Sequence, residues 1–119
     1  MIRDMDLIRT VLLEIEKRDW AHCHDEIKID GYTEEQISYH LKLLTEAGLV
    51  EGIDATTRGG LEWFPGPLTW AGHEFLDTAR NDTVWNNVKD EVKKKAVSAP
   101  LEIIVDLLKR GVKGLFGLA

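Results

Sequence analysis

The sequence predicts a mainly α-helical protein with one small β-hairpin, an α+β fold that we interpret as a winged-helix-like domain followed by two C-terminal helices. Apolar residues recur at helical spacing in five stretches, and a polar, glycine-containing turn separates two short apolar stretches. With 119 residues, 44% of them hydrophobic and 30% charged, the chain can bury a core. We predict a domain over residues 1–80 and a two-helix extension over residues 81–119 for packing or oligomerisation.

The first helix is predicted to start at Asp4 or Asp6, either of which can cap it, and to run to about Arg18. Its apolar stripe comprises Leu7, Ile8, Val11, Leu12 and Ile15. The polar stretch from Asp19 to Tyr32 predicts a loop entering a short strand around Ile27 and Ile29. It leaves little room for the helix that usually precedes a recognition helix, so we expect a turn there.

The second helix is predicted to begin after Thr33, which forms a capping-box pattern with Gln36, and to end at Gly48. Its buried stripe is Ile37, Leu41 and Leu44, with His40 and Ala47 at the edge.

Two strands, residues 49–53 and 61–64, are predicted to form a hairpin around the turn 56–60. Thr69 is expected to cap a third helix, in which Gly72 permits close packing. Asn81 or Asp82 is expected to cap a fourth helix that ends near Ser98, and Pro100 suits the first position of a fifth.

Three segments of the sequence resemble one known family. They are residues 3–9 (RDMDLIR), residues 38–41 (SYHL) with 46–49 (EAGL), and residues 68–77 (LTWAGHEFLD). They are similar to domain of unknown function 2513, which is found in bacteria and their prophages. The resemblance covers nearly the whole chain and implies a phage or prophage setting, but it implies no activity.

The charge distribution disfavours nucleic acid as a partner. Residues 1–80 contain sixteen Asp and Glu against eight Lys and Arg, a net charge of −8. The outward arc of the second helix is predicted to carry three carboxylates, one ammonium group and two hydroxyl groups, those of Glu34, Glu35, Ser38, Lys42, Thr45 and Glu46. A helix that reads a major groove usually presents basic and amide side chains instead. The candidate face for nucleic acid or another partner comprises Ser38, Lys42, Thr45, Thr57 and Arg58.

The run His22–Cys23–His24 invites a metal-site or nucleophile interpretation. In an extended segment the two imidazoles would point to one side, but zinc needs about four ligands, and only His40 or His73 could join from elsewhere. A polar loop with a half-buried thiol is the preferred interpretation. We expect no metal, no cofactor and no enzymatic activity, because the sequence contains neither a phosphate-binding glycine loop nor a Ser/His/Asp arrangement.

The fifth helix is more apolar than packing on one side requires. Leu101, Ile104, Val105, Leu108, Val112 and Leu115 form one arc, and Ile103, Leu107 and Leu118 form a second. We predict that the second arc is covered by another copy of the chain. The candidate oligomer interface comprises Ile103, Leu107, Gly111, Gly114 and Leu118.

These observations favour a cytoplasmic, non-enzymatic binding module that acts through protein–protein contacts. We expect it to form a homodimer and to bind a macromolecular partner through the candidate face of the second helix and the hairpin. The alternative is a DNA-binding transcriptional regulator of phage or prophage genes, which rests on analogy with the fold. A weaker third hypothesis is peripheral membrane association through the apolar Leu115, Phe116 and Leu118 together with the basic Lys109, Arg110 and Lys113. The sequence contains no apolar run long enough for a transmembrane segment.

Overall fold

The computed structural model describes residues 1–95 and 99–118. Within these residues, five α-helices and one hairpin follow each other in the order α1 (Met5–Glu16), α2 (Glu34–Glu46), β1 (Ile53–Asp54), β2 (Trp63–Phe64), α3 (Trp70–Ala79), α4 (Asp82–Lys94) and α5 (Leu101–Leu115). The predicted mainly helical α+β class is confirmed. The chain divides into two compact units, Met1–Glu74 and Phe75–Ala119, so the boundary falls within α3. The predicted division into domains at residue 80 stays a prediction.

Helices α1 and α2 pack against each other in the first unit. The predicted apolar stripe of α1 is entirely buried, as is the α2 stripe of Ile37, Leu41 and Leu44. Asp4 caps α1 by accepting a hydrogen bond from the backbone N–H of Leu7. The Thr33–Gln36 capping box is present, and Gly48 takes the positive φ of 76° that ends α2. These local signals are therefore confirmed, although α1 ends two residues before the predicted Arg18.

The stretch between α1 and α2 contains a single 3₁₀ turn, Trp20–His22, capped by Asp19. The predicted turn is confirmed, but the predicted strand around Ile27 and Ile29 is wrong, because no neighbouring strand pairs with this segment among the described residues. Instead, the Arg18 guanidinium donates to the carbonyl oxygens of Asp25 and Glu26 and fixes the chain there.

The predicted hairpin is present, with strands shorter than expected. β1 and β2 are antiparallel, with Ile53 opposite Phe64 and Asp54 opposite Trp63. An isolated bridge between Thr57 and Gly60 closes the tip. The hairpin packs on α2, so the surface of α2 that it covers is unavailable to an external partner.

Helix α3 begins after Thr69, whose hydroxyl accepts the backbone N–H of Gly72, as expected. A Cβ atom added at Gly72 would lie 2.0 Å from the carbonyl oxygen of Leu49. Only glycine fits there, which confirms the predicted close packing.

In the second unit, α4 packs against α5. Asn81 caps α4 by accepting the N–H of Val84, and Trp85 and Val88 are buried. The predicted end of α4 near Ser98 lies outside the described residues. Pro100 occupies the N-cap of α5 rather than its first helical position. Within α5, Ile104 and Leu108 are buried.

Candidate interaction surfaces

The candidate face of α2 and the hairpin tip is not one open surface. The prediction that Ser38 faces outward is wrong: its side chain is buried, and its hydroxyl accepts the backbone N–H of Trp63 at 3.1 Å. Thr45 is half-buried, donates to the carbonyl of Leu41 at 2.8 Å and accepts the N–H of Gly52 at 3.2 Å. Both hydroxyl groups therefore join α2 to the backbone of the hairpin, at Trp63 in β2 and at Gly52 just before β1.

The remaining candidates of that face are accessible. The ammonium group of Lys42 lies 2.6 Å from a carboxylate oxygen of Glu46, and this hydrogen bond raises the pKa of Lys42. Thr57 and Arg58 are exposed at the hairpin tip, where the Thr57 hydroxyl accepts the N–H of Gly59. The accessible part of the face thus has two cationic groups that could contact phosphate. One is the ammonium group of Lys42, which is already paired with Glu46, and the other is the guanidinium of Arg58.

A cleft of about 270 Å³ lies between α2 and the hairpin. Its apolar lining includes Ile37, Leu41 and Trp63, and three carboxylates, those of Glu26, Glu34 and Glu62, also line it. The indole Nε1 of Trp63 is buried and has no hydrogen-bond acceptor in the described part of the chain. This feature was not predictable from the sequence, because it depends on how the hairpin folds over α2.

Two tryptophans of the first unit project into solvent. Trp20 is 79% exposed and Trp70 is 82% exposed. Trp20 and His73 line one small groove, and His73 lies one turn after Trp70 on α3. Tryptophan is enriched among the residues that dominate protein–protein binding, so this surface is suited to a protein partner.

The side chains of His22, Cys23 and His24 diverge. His22 Nδ1 lies 2.8 Å from a carboxylate oxygen of Asp25, which raises the pKa of His22, with the charge of Asp19 adding to the effect. His24 Nδ1 lies 2.9 Å from the carbonyl oxygen of Pro65, and Cys23 is buried. Across residues 1–95 and 99–118, no three His, Cys, Asp or Glu side chains lie together as metal ligands would.

The second unit has a groove of about 430 Å³ between α4 and α5. Val84 and Val88 of α4 line it, together with Leu107, Gly111 and Gly114 of α5. Gly111 packs tightly against α4, since an added Cβ would lie 2.6 Å from Val84 Cγ1, whereas a Cβ at Gly114 would have no neighbour within 4 Å. Of the candidate interface, Leu107, Gly111 and Gly114 therefore share this groove.

The other two candidates, Ile103 and Leu118, are 48% and 60% exposed. Leu115 and Phe116 are exposed as well, at 60% and 76%. None of the helices in the described ranges combines the length and apolar character that crossing a membrane requires.

The fold and these surfaces define a small α+β protein with exposed apolar residues in each of its two units. The chain belongs to the family described as hypothetical protein (DUF2513), whose model matches residues 2–98, so the resemblance seen in the sequence is confirmed. An uncharacterized protein from Haemophilus influenzae is 43% identical over 107 residues, which cover 87% of this chain and 89% of that protein. No solved structure gives a significant match.

Proposed function

We propose that this protein is a non-enzymatic, winged-helix-type binding module that acts through protein–protein contacts and self-associates through α5. The order of α1, the 3₁₀ turn, α2, the hairpin and α3 supports the winged-helix interpretation. The phage or prophage setting and the cytoplasmic location are part of the proposal, and the setting rests on the family resemblance alone.

The exposed apolar side of α5 carries the proposal. Ile103 is about half exposed and lies one helical turn before Leu107, which lines the groove together with Val88. Burying a large aliphatic side chain stabilises a protein by roughly 1.5–3 kcal/mol, so leaving such residues in water forgoes a large part of a small domain's net stability. A second copy of the chain would cover this side.

Regulation through DNA is the second candidate, and the exposed Arg58 at the tip of the hairpin favours it, because wings often contact phosphate. The outer side of α2 argues against it. Glu34, Glu35 and Glu46 are exposed there, and Lys42 is paired with Glu46. Carboxylates at this density repel the phosphate backbone. We therefore favour a protein as the partner of the first unit, with the exposed Trp20 and Trp70 as its natural anchors.

Size-exclusion chromatography with light scattering tests the self-association. We expect a dimer that Ile103→Asp and Leu107→Asp each convert to a monomer, since both place a charge in the apolar contact. Asn86→Asp, which adds the same charge at an exposed position of α4 outside the groove, is the matched control and should stay dimeric. Circular dichroism should show helix content close to wild type in all three variants. A wild-type chain that is monomeric at every concentration would refute the proposal.

A further inference from the structure

The charges of α5 are divided between its two halves. Glu102 and Asp106 lie in the first half, whereas Lys109, Arg110 and Lys113 lie in the second. Two copies of α5 placed side by side in parallel would bring like charges together. Antiparallel copies would bring the acidic half of each onto the basic half of the other, and would also align the helix dipoles favourably.

The shape of α5 selects one antiparallel register. Ile103 projects from the first turn, and Gly114 leaves open space near the other end of the helix. They are eleven residues apart, which is just over three full turns, so they lie on one side of the helix about 16 Å from each other. A projecting side chain and an open site on one strip are self-complementary across a two-fold axis.

We propose that two copies of this chain pair through antiparallel α5 helices, with Ile103 of each copy seated over Gly114 of the other. The inference rests on the proposed self-association and specifies its geometry. In this register Leu107 of one copy lies opposite Arg110 of the other, whose aliphatic stem covers it. The guanidinium of that Arg110 then lies beside Asp106 of the first copy, and the two-fold axis repeats the pair.

Disulfide trapping distinguishes this arrangement from others. Ile103→Cys and Gly114→Cys chains are each made in a Cys23→Ser background, which removes the native thiol. Both positions are accessible, because the Ile103 side chain is half exposed and a Cβ at position 114 has no neighbour within 4 Å. We expect the 1:1 mixture to form a cross-linked heterodimer on mild oxidation, while each chain alone cross-links at least about tenfold more slowly, since bonding requires adjacent Cα atoms.

The outcomes separate the two proposals. Rapid cross-linking of the Ile103→Cys chain with itself indicates parallel helices and overturns the antiparallel register. A dimer by light scattering that forms no cross-link between positions 103 and 114 also overturns the register, while the self-association stands. A wild-type chain that is monomeric by light scattering overturns both proposals, and the Cys23→Ser parent must match the wild-type state before it is cross-linked. Lys109→Cys, on the polar side of α5, gives the background rate of cross-linking.

A charge exchange provides an independent test. Asp106→Arg and Arg110→Asp should each weaken the dimer by roughly tenfold, because each places like charges together twice across the two-fold axis. The double variant restores opposite charges and should recover most of that loss. A double variant that dimerises no better than the two single variants would overturn the pairing.

Discussion

The imidazole Nε2 of His40 accepts a 2.8 Å hydrogen bond from the backbone N–H of Asp4, which joins the middle of α2 to the start of α1. His40 is 2% exposed, and its Nδ1–H donates to the carbonyl of Gln36. Asp4 in turn caps α1, and its carboxylate accepts a 3.0 Å hydrogen bond from the Tyr32 hydroxyl group. Loss of hydration raises the pKa of Tyr32, and the hydrogen bond to Asp4 adds to the shift. His40 thus has a structural role that excludes the distant metal ligand considered from the sequence.

We expect His40→Leu to lower the free energy of unfolding by about 1–3 kcal/mol, because it leaves the Asp4 N–H without its acceptor. Urea denaturation followed by tryptophan fluorescence measures the change. His73→Leu makes the same replacement at an exposed position of α3 and should change stability by no more than about 0.5 kcal/mol. Equal stabilities of the His40 and His73 variants would contradict the role assigned to His40.

Gly72 provides a second test of packing in the first unit. Alanine is the better helix former by about 1 kcal/mol, yet its Cβ at this site would lie 2.0 Å from the Leu49 carbonyl oxygen. We expect Gly72→Ala to destabilise the protein by roughly 1–3 kcal/mol, since the backbone must move apart. Thermal unfolding measures this change. Glu74→Ala, exposed on the same helix, is the control, and a raised melting temperature for Gly72→Ala would show that the contact is not tight.

Several features were predictable from the sequence because they depend on neighbouring residues. The Thr33–Gln36 capping box, the Asp4 cap and the Gly48 terminus are examples. Features that depend on distant segments were not predictable. Ser38 was expected outside because a helical arc does not reveal which part a hairpin will cover.

The exposure of Trp70 could have been predicted from the sequence. The stripe of Gly72, Phe75, Leu76 and Ala79 identifies the buried side of α3, and helical spacing places Trp70 opposite to it. No comparable pattern in the sequence indicates the exposure of Trp20 or the unpaired indole N–H of Trp63, because both depend on how the loops and the hairpin lie in the fold. Burial of a single side chain outside a periodic stretch is set by tertiary contacts.

The ion pair of His22 and Asp25 predicts a pH effect. The hydrogen bond to Asp25 raises the folded-state pKa of His22 above the ordinary 6.5. Because the pKa of His22 is higher in the folded than in the unfolded protein, the pair contributes fully to the free energy of unfolding below pH 6.5. This contribution disappears as the pH rises through the pKa of His22 in the folded protein. Titration of the imidazole by NMR should show that Asp25→Asn lowers the pKa of His22. Glu26→Gln, which removes a neighbouring charge, should leave the pKa of His22 unchanged. An equal shift in both variants would show that the summed charge of the nearby acidic residues, and not the hydrogen bond to Asp25, raises this pKa.

Binding to DNA should be weak or absent near physiological salt. The net charge of −8 over residues 1–80 repels the phosphate backbone, and the accessible side of α2 presents Glu34, Glu35 and Glu46. Fluorescence anisotropy with duplex fragments should give a dissociation constant no tighter than the non-specific range, on the order of 10⁻⁴–10⁻⁶ M. Glu34→Gln with Glu35→Gln should strengthen this binding in a salt-dependent way. Tight, sequence-selective binding that Lys42→Ala and Arg58→Ala abolish would instead establish the regulator hypothesis, because those two cations are the ones that the accessible face offers.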